Sequence, residues 1–155
     1  MRELGAGIIV IGNEILSGKT LDSNSAFLAR ELRQLGVALR RITVIPDELD
    51  LIADTVREFH TRFDLVFTSG GVGPTHDDIT MDGVARAFGR RVIRHPLLEN
   101  YIREYLNGRP MNEAYWKMTE VPEGAELLQD DRLRFPTIKL ENIYILPGIP
   151  EILQQ

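Results

Sequence analysis

FDLVFTSGGVGPTHDDITMDGVARAFG, residues 63–89, decides the fold class. FDLVFTS (63–69) reads as a buried strand, and DITMDGVARAFG (78–89) has its apolar residues at helical spacing. Between them, TSGGVGPTHDD (68–78) packs three glycines, a proline, a histidine and two adjacent aspartates into one connection. A strand leaving through a glycine-rich loop straight into a helix is a unit of α/β proteins, and phosphates are commonly held at that loop.

The same alternation extends to both sides. GAGIIVIG (5–12) is a continuous apolar, β-branched run, the pattern of a strand buried on both faces. DSNSAFLARELRQLG (22–36) reads as a helix with Asp22 or Ser23 as N-cap and Gly36 as its stop. VALRRITVI (37–45) is a second strand, Pro46 and Asp47 a turn, and ELDLIADTVREFHTR (48–62) a second helix. Downstream, HPLLENYIREYL (95–106) and MNEAYWKM (111–118) read as helices, and TIKLENIYILPG (137–148) as two strands joined at Glu141–Asn142. Strands alternating with helices predict a mostly parallel sheet covered by helices on both faces, the final pair adding an antiparallel edge.

Bulk properties narrow the function. A chain of 155 residues fits a single domain, residues 1–155, and is long enough to bury about 70% of its unfolded surface. Eighteen basic against 23 acidic residues give a net charge of −5, which disfavours nucleic acid and anionic membranes as partners. No cysteine is present, so there is neither a disulfide framework nor a thiolate metal site. The apolar run within MRELGAGIIVIG is too short to span a bilayer and carries no signal-peptide cleavage pattern, so a cytoplasmic protein is expected.

Ligands of open α/β sheets bind beyond the carboxyl ends of the strands. Three segments leave a strand into a polar, glycine-bearing loop: IGNEILSGKTLDSN (11–24), TSGGVGPTHDD (68–78) and LPGIPE (146–151), which contains Gly148. Parallel strands would bring them to one rim. In the central loop, Gly70, Gly71 and Gly73 let backbone approach a ligand, successive N–H groups make an anion site, and Thr68, Ser69 and Thr75 add hydroxyl donors. Asp77 and Asp78 would repel a bare phosphate, so a divalent cation between them and the ligand reconciles the charges. The alternative is a tight turn whose aspartates cap the following helix. His76 reads either as a surface residue or as a ligand contact, and Glu14 as a holder of metal or ribose hydroxyls or as a solvated loop carboxylate. Asn24 and Asp22 are placed to face the same cleft, although capping alone accounts for Asp22. Tyr115 and Trp116 read as core or interface, and His60 and His95 carry no functional reading.

GNEILSGKTLDSN, TSGGVGPTHDDIT, NEAYWKM and LPGIPE, in this order and spacing, resemble the molybdopterin-binding (MoaB/Mog) fold family. The branch they resemble stands at the N-terminus of CinA-like proteins and in the molybdopterin-binding-like region of eukaryotic FAD synthases. The resemblance implies a three-layer α/β sandwich and self-association into a homo-oligomer. In the Mog and gephyrin branches the equivalent loop has Arg before an Asp that serves metal-dependent adenylylation of molybdopterin. Asp78 matches that Asp, while Asp77 stands where the arginine would be. The CinA-like branch implies instead metal-dependent hydrolysis of the pyrophosphate in ADP-ribose or a related dinucleotide such as FAD, to AMP plus a sugar phosphate or other nucleotide.

On this reading Asp78 is the metal ligand or water-orienting base and Asp77 a second metal ligand. Lys117, which matches a family lysine, neutralises phosphate charge. Ser69, Gly70, Gly71, Gly73, Thr75, Glu14, Asn24 and Gly148 bind the nucleotide. Mg²⁺, Mn²⁺ and Co²⁺ all suit oxygen ligands. Two readings compete: a molybdopterin-binding or adenylylating protein, with a pterin as ligand, and a non-catalytic nucleotide-binding module. The amidase domain of CinA proteins would lie beyond LPGIPE, so that activity is not expected of these residues, and the chain reads either as shortened at its C-terminal end relative to the family's first domain or as a stand-alone relative.

Overall fold

The structure, a computed structural model, describes residues 2–133 and 135–154. The first half follows the predicted alternation, with boundaries within two residues of those read from the pattern: β1 (Gly5–Ile11), α2 (Ser23–Gln34), β2 (Ala38–Ile45), α3 (Leu49–Arg62), β3 (Leu65–Ser69) and α4 (Thr80–Ala87). A single helical turn, α1 (Asn13–Leu16), follows β1. Asp22 is the N-cap of α2, its Oδ1 accepting the Ser25 N–H at 3.1 Å. The second half comprises β4 (Val92–Arg94), α5 (Pro96–Leu106), α6 (Glu113–Lys117), β5 (Glu120–Pro122), β6 (Glu126–Leu128), β7 (Thr137–Leu140), β8 (Ile143–Leu146) and α7 (Pro150–Leu153). His95 caps α5, its Nδ1 accepting the Leu97 N–H at 3.2 Å.

The main sheet has the order β2-β1-β3-β8-β7-β6, and its first four strands are mutually parallel. The final strand pair adds the antiparallel side of the sheet, as its pattern predicts, and β6 extends it by one more strand. β8 lies inside the sheet, parallel to β3, while β7 runs against it and β6 forms the edge. Ile143 and Ile145 of β8 are buried, which an edge position would not allow as readily. Their alternation marks a strand but not its neighbour. β4 and β5 form a separate antiparallel pair. These two strands and β6 have only three residues each, too few for a period to register in the sequence.

The apolar run of β1 divides between two cores, as a two-residue period requires. Ile9 and Ile11 pack with Ile52, Val56 and Phe59 of α3, Val84 of α4 and Leu98 of α5. Ile8 and Val10 pack on the opposite face with Leu28 of α2, and Leu153 of α7 lies against them. Helices therefore cover both faces of the sheet, giving three layers. Burial of a side chain such as Phe59, fully inaccessible, contributes about 1.5–3 kcal/mol. Close approach needs glycine at Gly7, where a Cβ would stand 2.7 Å from the rings of both Phe59 and Phe63. Four parallel strand ends thus place the segments after Ile11, Ile45, Ser69 and Leu146 along one rim.

Candidate functional site

The central loop is shaped by contacts within the fold before any ligand. Gly70 and Gly71 have φ of +96° and +66°. A Cβ at Gly70 would overlap the Ile11 carbonyl oxygen, and one at Gly71 would overlap Thr80 Oγ1. Buried Thr80 holds both carbonyls: its hydroxyl donates to Gly70 O at 2.8 Å and its N–H to Gly71 O at 3.1 Å. With the carbonyls engaged, the N–H groups of Gly71, Val72 and Gly73 donate to no acceptor among the described residues. Three successive free donors are the makings of an anion cradle.

Asp78 closes the loop. The Thr75 N–H and Oγ1 donate to Asp78 Oδ2 at 2.9 and 2.7 Å, and the Asp78 N–H donates to Thr75 O at 3.1 Å. Asp78 Oδ1 has no hydrogen-bond partner among the described residues. The alternative role of helix cap is not realised, because α4 starts at Thr80 after Ile79 and has no side-chain cap. Gly73 leaves room for the Asp78 carboxylate: a Cβ there would come within 2.8 Å of Asp78 Oδ2, the end of a side chain that would have to shift.

Two hollows flank the loop, and Gly71 and Asp78 line both. The first, about 680 Å³, is polar, with walls that include Glu14, Lys19, Asp47, His76, Asp77 and Asp78. Four carboxylates face one ammonium, and Lys19 forms no ion pair among the described residues, so this space favours a cation. Asn13 and Asp47 lock the exits of β1 and β2 together. The Asn13 N–H donates to Asp47 Oδ2 at 3.1 Å, and the Asp47 N–H donates to Asn13 Oδ1 at 3.2 Å. Among the described residues no three His, Asp or Glu side chains converge into a preformed metal cage. Asp77 and Asp78 beside free N–H donors fit a cation of the kind held by one or two carboxylates, with water and phosphate oxygens filling its shell.

The second hollow, about 420 Å³, is walled by apolar side chains, and Lys117 joins Asp78 there. Lys117 and Asp77 thus lie on opposite sides of the loop. Other expected site residues have internal work. Buried Asn24 donates through Nδ2 to Ser69 Oγ at 3.2 Å and to Gly148 O at 3.0 Å, and its Oδ1 accepts from Gln154 Nε2 at 3.1 Å. A Cβ on Gly148 would stand 3.0 Å from Gly70 Cα. Asn24, Ser69, Gly70 and Gly148 therefore tie three loops together and line neither hollow, and the Thr75 hydroxyl serves Asp78. Sequence reading passed over Lys19 and Asp47, and over Asp82 and Glu120 in the second hollow. Asp47 follows a parallel strand directly, so the strand-end rule would have found it had β2 been placed beside β1.

Comparison with known proteins agrees with this architecture. The family described as "Probable molybdopterin binding domain" matches residues 7–155. A protein of Archaeoglobus fulgidus is 39% identical over 144 residues, covering 92% of this chain and 61% of its own. A CinA-like protein of Desulfosudis oleivorans is 35% identical over 156 residues, covering 97% of this chain and 38% of its own. A Caenorhabditis elegans protein named "Probable FAD synthase" is 34% identical over 171 residues, covering 97% and 33%. The chain thus spans about three-fifths of the length of the archaeal relative and less of the other two. Among solved structures, the protein CinA of Thermoplasma acidophilum superposes with a TM-score of 0.88 at 30% identity, covering 98% of this chain and 92% of its own. The tungsten cofactor synthesizing protein MoaB of Pyrococcus furiosus shares the fold, with a TM-score of 0.61 at 16% identity over 99% of this chain and 88% of its own. No helix among the described residues is long and apolar enough to cross a membrane. By motif, fold and relatives, the chain belongs to the molybdopterin-binding domain family, in its CinA-like branch.

Proposed function

We propose that the site hydrolyses the pyrophosphate of a small nucleotide such as ADP-ribose or FAD, in a cytoplasmic homo-oligomer, with a divalent metal as cofactor. The observation that carries this reading is the adjacency of three free N–H donors, Gly71 to Gly73, to the unused oxygen of Asp78 in a carboxylate-rich hollow. Donors for phosphate and carboxylates for a cation, side by side, suit a phosphate ester bound with its metal and suit neither alone.

The N–H groups would hold phosphoryl oxygens and stabilise the charge that gathers on them in the transition state. Asp78 would orient a water through Oδ1 while Thr75 fixes the carboxylate through Oδ2. A cation bound at Asp77 and Asp78 would supply Lewis-acid polarisation and lower the pKa of that water. Water adds to one phosphorus, the bridging P–O bond breaks, and ADP-ribose yields AMP and ribose 5-phosphate. Lys117, reaching the loop from the second hollow, would offset charge on the departing phosphate.

The test is AMP release from ADP-ribose, FAD and NAD by the purified protein with Mg²⁺, Mn²⁺ or Co²⁺, and with EDTA, beside Asp78→Ala. Release that requires metal and falls by orders of magnitude in the folded variant supports the reading. Full activity in Asp78→Ala refutes its role, and no release under any condition refutes hydrolysis. The family match favours a second reading, in which the ligand is molybdopterin. Aspartate at position 77, where the adenylylating branches carry arginine, argues against it, and a molybdopterin titration of the purified protein tests it.

A further inference from the structure

The second hollow holds charged groups for which the fold provides no partner. Asp82 in the first turn of α4, Glu120 at the start of β5 and Lys117 at the end of α6 all line it, among the apolar side chains of Met81, Leu98, Met118 and Phe135. None of the three charged side chains makes a hydrogen bond or ion pair among the described residues. Opportunities exist and are not taken. Lys117 and Glu120 are three residues apart, yet no ion pair joins them. Arg94 stands directly across the β4–β5 ladder from Glu120, and its guanidinium lies instead over the Trp116 ring at 4.3 Å. All three are half-buried, so water satisfies them in the free protein, and a ligand group that enters the hollow finds donors and acceptors already free of internal partners.

We infer that this hollow is the ring subsite of the ligand, and that Asp82 and Glu120 read an exocyclic amino group on a flat heteroaromatic ring. The inference rests on the proposal that the site takes a nucleotide, and it names the part of the nucleotide that determines selectivity. Apolar walls suit the faces of a purine, and two carboxylates suit the two N–H bonds of one amino group, each taking one. A volume of about 420 Å³ is sufficient, since ligand sites span about 300–1,000 Å³. Gly71 and Asp78, common to both hollows, put the phosphate end of such a ligand at the loop and its base beyond it. Adenine and guanine both carry such a group, so the shared feature is the amine.

Calorimetric titration of the full chain with two ligand pairs isolates that amine. AMP and purine riboside 5′-monophosphate differ by the 6-amine, and GMP and IMP by the 2-amine. The expected result is a preference of about 10- to 100-fold for the amine-bearing member of at least one pair, which also identifies the base. Asp82→Ala with Glu120→Ala should abolish the preference. Asp82→Asn with Glu120→Gln, which keeps the side-chain shape, should reduce it, with thermal midpoints reported for both. Equal binding within both pairs, an undiminished preference in the folded variants, or no binding of any nucleotide overturns the inference. ADP-ribose hydrolysis by the wild-type protein is measured in parallel. Hydrolysis without amine preference refutes only the ring subsite, and amine preference without hydrolysis refutes only the pyrophosphatase reading.

Discussion

Replacing Gly70 by alanine tests whether the loop glycines serve the fold before they serve a ligand. At φ +96° an alanine occupies a left-handed region that costs about 1–2 kcal/mol. Its Cβ would also overlap the Ile11 carbonyl oxygen, which is backbone and cannot rotate away, and overpacking of that kind adds about 1–3 kcal/mol. The expected loss is therefore about 2–5 kcal/mol, a fall of roughly 4–20 °C in thermal midpoint for a domain of this size. Gly18→Ala is the control. Gly18 also has positive φ, +78°, but no atom lies within 4 Å of the added Cβ, so only the backbone component of about 1–2 kcal/mol applies. Urea denaturation of both variants and wild type, at one protein concentration, gives the comparison. Equal losses, or a larger loss for Gly18→Ala, would mean that the approach of Gly70 to β1 does not set the loop, and the account of its shape would fail.

Gly73→Ala should leave the fold nearly as stable while pressing on Asp78 Oδ2 from 2.8 Å. Metal-dependent AMP release should then fall at least about 10-fold, since ångström-scale misplacement of a catalytic group is costly, and unchanged turnover would separate Gly73 from the chemistry. Asn24→Ala removes a buried side chain bonded to Ser69, Gly148 and Gln154. A stability loss of about 2–3 kcal/mol is expected by urea denaturation, and a loss under about 0.5 kcal/mol would show that this cluster does not tie the loops. The Gly5 N–H and then the Arg2 guanidinium hold the Asp64 carboxyl below its ordinary pKa of 3.8. Because the folded value is the lower one, its contribution to stability is complete above about pH 4 and disappears as pH falls through the depressed value. Asp64→Asn should flatten the acid limb of the stability–pH curve, and an unchanged limb would refute the linkage.

The backbone order of the first 89 residues was legible because each element is long enough to display its period. β1 shows a seven-residue apolar run and α3 a 14-residue amphipathic one. The motif loops were legible as candidate chemistry through the family pattern they carry together, since glycines beside paired aspartates taken alone suit a tight capping turn equally well. Residue types and local spacing therefore determined the fold class, the rim and the identity of Asp77 and Asp78 as candidates. They could not determine which neighbour β8 would take, because Ile143 and Ile145 bury equally well against any strand. Nor could they separate Asn24, consumed by three internal hydrogen bonds, from Asp47, which lines the polar hollow, because both are polar residues near strand exits. Lys117 falling beside Asp78 but across the loop from Asp77, and Glu120 left unpaired when Arg94 turns to Trp116, are choices among long-range contacts of similar energy. Such choices are made only when the packed elements fix the distances, and tertiary structure alone decided them.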